Sequence, residues 1–222
     1  MILGDGRLKK YYIFDLDGTV VDSMPYWGRA MLELLDKYNI KYPPNVIEII
    51  VPLGMKGTVE YFHSLGFEIS LDDFMEEVYS ALQKYYDNTI LLKPYAREYL
   101  KKLKEKGASL NILTASPKSF VDAVLGREGV AGFFDNLWSC DYFGLGKTEP
   151  EIYYEVMKLL GATKEETVFF DDNPGSVGGA KKAGIETVAV FDLANKNFRE
   201  ELVKTADHHI ESFGEFLEKE PF

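Results

Sequence analysis

Apolar residues follow two different spacings along the first ninety residues of the chain. Residues 11–16 (YYIFDL) are a short aromatic and β-branched run, which predicts a buried strand. Residues 24–90 carry apolar side chains at helical spacing, with breaks at YPPN (42–45) and LGF (65–67). The pattern therefore predicts one strand followed by a small helical bundle.

From residue 94 onward, predicted helices and strands alternate. The predicted strands lie in SLNILTAS, FFDNLWSCDYFG, TVFFDDNPGS, ETVAVFD and DHHIESFG, and amphipathic segments such as PYAREYLKKLKEKG and TEPEIYYEVMKLLG separate them. Strand and helix repeats of this length are typical of an α/β fold, a parallel sheet with helices on both faces. We expect a core domain formed by residues 1–22 and 91–222, with an all-helical domain at 23–90 inserted after the first strand.

Composition and charge exclude several classes of partner. The formal net charge is −11, which argues against nucleic acid as a partner because phosphate backbones require a basic surface. No run of 18 apolar residues occurs, so we expect no membrane partner. The apolar start precedes the basic residues, the reverse of a secretory signal, and Cys140 is the only cysteine, so we expect a cytoplasmic protein without disulfides. No coiled-coil repeat is evident, and we expect a monomer or a dimer.

Polar groups capable of chemistry follow three of the predicted strands. They are Asp15 and Asp17, Thr114 and Ser116, and Asp171 and Asp172. Ligands bind beyond the carboxyl ends of the strands in open α/β sheets, so these groups are expected to converge. Lys147, in the loop GLGKTEP between the second and third of these strands, is expected to join them.

Four carboxylates that converge without cations would repel one another, so such a cluster would either hold protons or bind a divalent metal. Oxygen ligands of this kind suit Mg²⁺, which tolerates one or two carboxylates together with a substrate phosphate. One carboxylate of such a set could attack phosphorus, and a second could act as general acid and base. Lys147 would offset charge on the transferring group, and Thr114 would donate a hydrogen bond to it.

Four motifs in order resemble those of the haloacid dehalogenase-like hydrolase superfamily. DLDGT (15–19) is similar to its first motif, and NILTAS (111–116) is similar to the second. KTEP (147–150) is similar to the third, with Thr148 in place of the usual first proline. FFDDNPGSVGGAKKAG (169–184) is similar to the fourth. The resemblance covers nearly the whole chain and points to the phosphatase branch with a helical cap, which includes phosphoglycolate phosphatase-like and β-phosphoglucomutase-like proteins.

The resemblance implies a Rossmann-like core and a role for each motif residue. Asp15 matches the nucleophile and a metal ligand, and Asp17 matches the general acid and base whose carbonyl reaches the metal. Thr114 and Ser116 match phosphoryl-binding positions, and Lys147 matches the charge-stabilising lysine. Asp171 and Asp172 match the remaining metal ligands, with Asp172 favoured as the direct one. The implied activity is Mg²⁺-dependent hydrolysis of a small phosphorylated metabolite, such as a sugar phosphate or phosphoglycolate, through an aspartyl-phosphate. Because carbon–halogen hydrolysis needs no leaving-group proton, the acid at Asp17 favours phosphoryl transfer.

Alternatives remain open for several residues. Lys56, in LGMKGT (53–58), is expected at the tip of a tight loop, where it could contact a substrate anion or simply be exposed. It motivates a phosphomutase or phosphonate hydrolase as an alternative activity, although the related mutase's cap arginine and histidine correspond here to Glu60 and Trp27. Thr148 motivates a third alternative, a phosphate-binding regulator without turnover. Ser116 before Pro117 could instead cap a helix, and Asp171 or Asp172 could cap the turn DDNPG.

Overall fold

The computed structural model describes residues 2–3 and 7–218. The chain divides into two compact units, one formed by Met1–Asp22 with Leu91–Phe222 and the other by Ser23–Ile90. In the part of the chain that the structure describes, every helix is too short or too polar to cross a membrane.

The unit Ser23–Ile90 consists of helices. They are α1 (Met24–Lys37), α2 (Val46–Ile50), α3 (Gly54–Ser64) and α4 (Leu71–Asn88), with a short 3₁₀ turn at Val51–Leu53. The hydroxyl of Ser70 begins α4 by accepting a hydrogen bond from the Asp73 N–H at 3.1 Å. Apolar residues at helical spacing supply a separate core, so the predicted helical bundle is present.

The aromatic side chains that pack within this bundle differ in how deeply they are buried. Phe62 is fully buried and packs edge-on against Phe74, with ring centroids 5.7 Å apart. Trp27 is half-buried, and its indole N–H donates to the hydroxyl of Tyr86 at 3.0 Å. The half-buried indole therefore keeps a hydrogen-bond partner, and the Tyr86 ring that supplies it is itself fully buried.

The expectation of a tight loop around Lys56 was wrong. Lys56 lies in the first turn of α3 and is exposed. Gly54 has a left-handed φ of 64°, but the backbone becomes helical directly afterwards. Thr58 and Phe62 recur at helical spacing on the buried face, so packing extends the helix through the glycine-rich segment.

The other unit contains a six-stranded parallel sheet. After a two-stranded antiparallel pair, β1 (Ile2–Leu3) and β2 (Arg7–Leu8), the sheet strands are β3 (Tyr11–Phe14), β4 (Ser109–Thr114), β5 (Asn136–Ser139), β6 (Thr167–Asp171), β7 (Glu186–Val190) and β8 (His208–Ile210). Their spatial order is β5-β4-β3-β6-β7-β8, and every pairing within the sheet is parallel. The predicted α/β fold is therefore confirmed.

Seven helices within the described residues accompany the sheet. They are α5 (Ala96–Glu105), α6 (Lys118–Arg127), α7 (Cys140–Phe143), α8 (Pro150–Leu160), α9 (Pro174–Lys182), α10 (Arg199–Thr205) and α11 (Gly214–Glu218). Pro150 occupies the first turn of α8, where its missing N–H has no helical partner to lose.

Alternate residues of the central strands are buried on opposite faces of the sheet. Phe14 and Phe170 pack together, 4.6 Å between ring centroids, on the face where Tyr99 of α5 also lies. Ile13 and Phe169 point the other way, into a cluster with residues of α8 and α9. Helices therefore cover both faces, which is why β3 is apolar along its whole length and consecutive residues of β6 are buried on both faces.

Candidate active site

The neighbouring strands β4, β3 and β6 all end at one edge of the sheet. Thr114 is the last residue of β4, Asp15 follows the last residue of β3, and Asp171 ends β6. The chain order reverses between β3 and β6, since β4 and β5 extend the sheet to one side and β6 to β8 extend it to the other. Ligands bind at such switch points in open α/β sheets.

Three aspartates form a buried cluster at this edge. Asp15, Asp171 and Asp172 each offer one carboxylate oxygen, and these three atoms lie within 4.8 Å of one another. The main chain holds the two strands in register here, because the Asp15 N–H donates to the Phe170 carbonyl at 2.8 Å. The parallel pairing of β3 and β6 thus brings together acids that are more than 150 residues apart in sequence.

Lys147 lies between two of these acids. Its Nζ donates to Oδ1 of Asp15 at 2.5 Å and to Oδ2 of Asp171 at 2.7 Å. The hydroxyl of Tyr153 in α8 lies 2.8 Å from the Lys147 carbonyl and anchors the loop. A Cβ at Gly179 of α9 would overlap the same carbonyl, so only glycine permits this close packing of helix on loop.

Asp172 is held from two directions. The Thr19 hydroxyl donates to its Oδ1 at 3.3 Å, and the Asn195 amide donates to its Oδ2 at 2.6 Å. Gly18 adopts a φ of 78°, and a Cβ there would collide with the Asp172 carboxylate. The glycine of the first motif therefore serves both a left-handed turn and a close approach to the acid.

Asp17 stands apart from the buried cluster and pairs with a hydroxyl. The Ser116 hydroxyl donates to Oδ2 of Asp17 at 2.5 Å, while the Ser116 N–H donates to Oγ1 of Thr114 at 3.0 Å. Helix α6 begins at Lys118 with Pro117 as its N-cap, so the alternative of Ser116 as the helix cap was wrong. Ser116 instead links the end of β4 to the first motif.

Either Asp171 or Asp172 could cap the turn DDNPG, and Asp171 is the one that does. Its Oδ1 accepts the Asn173 N–H at 2.7 Å, and Asn173 in turn caps α9 by accepting the Gly175 N–H at 2.9 Å. The fourth motif therefore combines an acid in the cluster with the start of a helix.

The charges at this edge are unbalanced. Burial raises the pKa of Asp15 to about 8; the charge of Lys147 opposes this rise, and the charges of Asp171 and Asp17 add to it. Burial and the charge of Asp171 raise the pKa of Asp172 well above its ordinary value. Burial alone would lower the pKa of Lys147, but its contacts with Asp15 and Asp171 raise it well above the usual value. One lysine thus faces three buried carboxylates.

The donor set fits a divalent cation. Three carboxylate oxygens close to one another are the hard ligands that Mg²⁺ and Ca²⁺ prefer. Burying excess negative charge is costly, and a bound cation would remove that cost. Asp15, Asp171 and Asp172 are therefore the residues that could hold a metal, whereas the Asp17 carboxylate is not part of this three-acid cluster.

The structure brings together all but one of the residues proposed from sequence. Seven lie at the same edge of the sheet: Asp15, Asp17, Thr114, Ser116, Lys147, Asp171 and Asp172. Lys56 belongs to the helical unit. Sequence reasoning missed Thr19, although it ends the first motif, and Asn195, which no motif marks.

Cys140 contributes packing to this region. It is buried in the apolar cluster with Ile13, Leu113 and residues of α8. Burial raises the pKa of its thiol to about 11, which leaves it protonated and a poor nucleophile at neutral pH.

Comparison with known proteins identifies the family of this chain. Residues 9–184 match the family described as haloacid dehalogenase-like hydrolase. The phosphorylated carbohydrates phosphatase of Thermotoga maritima is 28% identical over 177 residues, covering 79% of this chain and 82% of its own length. The phosphoglycolate phosphatase of Aquifex aeolicus is 27% identical over 217 residues, covering 90% and 98% respectively.

Solved structures show the same fold. The crystal structure of CbbY from Rhodobacter sphaeroides in complex with phosphate superposes with a TM-score of 0.77 at 21% identity, covering 94% of this chain and 96% of that one. Because the family match spans residues 9–184, the chain belongs to the haloacid dehalogenase-like hydrolase family.

Proposed function

We propose that the protein is a Mg²⁺-dependent phosphatase that hydrolyses a small phosphorylated metabolite through an aspartyl-phosphate on Asp15. The observation that carries the proposal is the pairing of two aspartates with different surroundings. Asp15 is buried beside Lys147 and the acid cluster, whereas Asp17 is half-buried and bonded to Ser116. A nucleophile and a general acid need such a difference.

Asp15 supplies the nucleophile in this proposal. Lys147 engages one of its carboxylate oxygens, Oδ1, which leaves Oδ2 for attack on phosphorus. The attack forms an Asp15–phosphorus bond and breaks the bond between phosphorus and the ester oxygen. Water then attacks the phosphorus, releases inorganic phosphate and regenerates the Asp15 carboxylate.

Asp17 handles the protons in both steps. In its protonated form it donates to the departing ester oxygen, so the product leaves as an alcohol. The resulting carboxylate takes a proton from the attacking water in the second step. The Ser116 hydroxyl, 2.5 Å from Oδ2, orients this carboxylate.

Thr114 and Lys147 bind the phosphoryl group in this proposal. Thr114 Oγ1 accepts the Ser116 N–H, which leaves the hydroxyl proton available for a phosphoryl oxygen. The Lys147 ammonium lies between Asp15 and Asp171 and offsets charge on the transferring group.

The metal requirement follows from the acid cluster. When bound, Mg²⁺ would supply positive charge beside the phosphoryl oxygens and offset the buried carboxylates. Asp15, Asp171 and Asp172 would hold it through their carboxylates, and the carbonyl of Asp17 is the further ligand that the family resemblance implies.

The substrate class rests on the named relatives. They act on phosphorylated carbohydrates and on phosphoglycolate, and we propose a sugar phosphate or a phosphoglycolate-like acid for this chain. Lys56 remains a predicted contact for a substrate anion. Changing Lys56 to Ala should then raise KM about tenfold, the effect of losing one charge-assisted hydrogen bond, while Lys41→Ala in the same helical unit should leave KM unchanged.

The test is phosphate release from a panel of sugar phosphates and phosphoglycolate, with Mg²⁺ or with EDTA. We expect turnover of at least one member with Mg²⁺, loss of turnover in EDTA, and no turnover by Asp15→Asn. Full turnover in EDTA or by Asp15→Asn would contradict the proposal. Isomerisation of a sugar phosphate without net phosphate release would identify a phosphomutase instead.

A further inference from the structure

Asn195 is a buried polar residue outside the family motifs. It lies in the 3₁₀ segment Leu193–Phe198 that follows β7, and only 8% of it is exposed. The match to the family ends at residue 184, so Asn195 belongs to the part of the chain beyond that match. A buried side-chain amide needs hydrogen-bond partners, and its choice of partners is informative.

Both partners of the Asn195 amide nitrogen belong to Asp172. Nδ2 donates to Oδ2 of the Asp172 carboxylate at 2.6 Å and to the Asp172 main-chain carbonyl at 3.1 Å. Both of these oxygens are acceptors, so the orientation of the amide is fixed by chemistry. One side chain therefore ties the carboxylate of Asp172 to its own backbone.

The bond from Asn195 Nδ2 to Asp172 Oδ2 is the shorter of the two side-chain contacts to the Asp172 carboxylate. The Thr19 hydroxyl reaches the other carboxylate oxygen at 3.3 Å, beyond the usual range for a strong O–H···O bond. Removing the Asn195 donor would leave that long contact to restrain rotation of the carboxylate.

The turn that presents Asn195 is itself anchored. The Asn195 N–H donates to the Asp192 carbonyl at 3.1 Å, and Oδ1 of Asp192 accepts the Ala194 N–H at 2.8 Å. The other carboxylate oxygen of Asp192 pairs with the Lys93 ammonium at 2.8 Å, and both side chains are largely buried. Lys93 also donates to the Phe191 carbonyl at 2.7 Å. The buried ion pair between Lys93 and Asp192 thus fixes the turn that carries the Asn195 amide. A positioning group requires rigid support of this kind.

We propose that Asn195 is a positioning residue that fixes the Asp172 carboxylate and thereby sets the affinity of the Asp15–Asp171–Asp172 cluster for a divalent cation. The inference rests on the proposed function, because it takes this cluster as the Mg²⁺ site. Outer partners that orient a metal ligand typically change metal affinity by about 10- to 100-fold when removed.

The test is direct measurement of cation binding by purified full-length protein after removal of metal. Isothermal titration with Mg²⁺, and electron paramagnetic resonance of free Mn²⁺ as a second probe, give the Kd without any turnover. Asn195→Leu removes the donor at similar size, and Asn195→Ser shortens the group while keeping it polar, in case the leucine variant does not fold. We expect each variant to bind about 10- to 100-fold more weakly than wild type.

A matched control separates positioning from general destabilisation. Asn136 is the first residue of β5, an outer strand of the sheet, and its amide donates to Asn111 at 2.8 Å. Asn136→Leu also removes a hydrogen bond and is expected to lower the unfolding midpoint in EDTA while leaving the Mg²⁺ Kd unchanged.

Two results would overturn the inference in distinguishable ways. Wild-type affinity in folded Asn195 variants would remove the positioning role and leave the proposed phosphatase intact. Absence of Mg²⁺ and Mn²⁺ binding by the wild type would remove the metal site itself, and the proposed function would fail with it.

Discussion

Asp15 and Asp17 are separated by one residue, yet they have different surroundings. Asp15 is 5% exposed and contacts Lys147, whereas Asp17 is half-buried and contacts Ser116. Successive residues after β3 no longer alternate as in a strand, because the chain turns at Gly18 with its N–H bonded to the Val21 carbonyl. The motif thus places Asp15 and Asp17 in two different environments, so each carboxylate can have a separate chemical role.

Changing Asp17 to Asn should remove proton transfer and leave the acid cluster in place. We expect kcat to fall by about 10²- to 10⁴-fold, the usual contribution of a general acid or base. The Mg²⁺ Kd should stay near the wild-type value, since the Asp17 carboxylate lies outside the three-acid cluster. Steady-state kinetics with calorimetry separates the two effects.

The control for this variant is Asp122→Asn, an exposed acid of α6 paired with Lys118. It should behave as wild type in both measurements. Unchanged kcat in Asp17→Asn would show that another group carries the proton.

Sequence reasoning found the site residues that lie in motifs and missed one that does not. Asp15, Lys147 and Asp171 each follow a local signal, a strand end or a loop before a proline-started helix. Asn195 has no such signal, because its partner Asp172 is reached only through the packing of the segment after β7. Thr19 was within the first motif, but its contact with Asp172 depends on the pairing of β3 with β6.

At the level of elements, the position of Lys147 in the candidate active site depends on how closely helix α9 approaches the Lys147 loop. Helix α9 crosses the Lys147 loop with only the hydrogen of Gly179 between them. The neighbouring Gly178 has open space around its Cα. The structure therefore excludes a side chain at Gly179 and has room for one at Gly178.

Replacing Gly179 by Ala should destabilise the protein and displace Lys147. We expect a loss of about 1–3 kcal/mol in unfolding free energy, typical of overpacking, together with reduced turnover. The matched change Gly178→Ala should raise stability by about 0.5–1 kcal/mol, because alanine favours the helix. Denaturant unfolding of both variants measures the difference, and equal effects would contradict the close approach.

The elements were predictable where periodicity and burial agree. The strands of the sheet and the amphipathic α5 and α8 follow the apolar pattern directly. The segment around Lys56 did not, because its two glycines indicate a turn whereas Thr58 and Phe62 pack as a helix. Tertiary burial outweighs the local preference of glycine there.

At the level of the whole molecule, the protein concentrates negative charge. The net charge is −11, and three buried carboxylates share a single lysine at the active edge. The folded chain without metal therefore binds protons at this edge more tightly than the unfolded chain does.

Stability without metal should decline as pH rises. Asp15 has a pKa of about 8 in the folded protein against an ordinary value of 3.8. A raised folded-state pKa gives stability that is complete below the unfolded value and is lost as pH rises through the folded value. The unfolding midpoint in EDTA should therefore fall between about pH 5 and about pH 8.

Saturating Mg²⁺ should oppose this decline, because the cation compensates the ionised carboxylates and binds only the folded state. Asp15→Asn in EDTA should show a shallower dependence on pH than wild type. A midpoint that rises across this range in metal-free wild type would contradict the unbalanced cluster.

The most direct test of the central claim is chemical trapping of the phosphorylated residue. Wild-type protein, quenched during turnover of its best substrate with Mg²⁺ and then reduced with borohydride, should contain homoserine at position 15 by peptide mass spectrometry. Asp15→Asn treated in the same way should contain none. Trapping at a different residue, or an unmodified Asp15 in protein quenched while an acyl-phosphate is demonstrably present, would contradict the account.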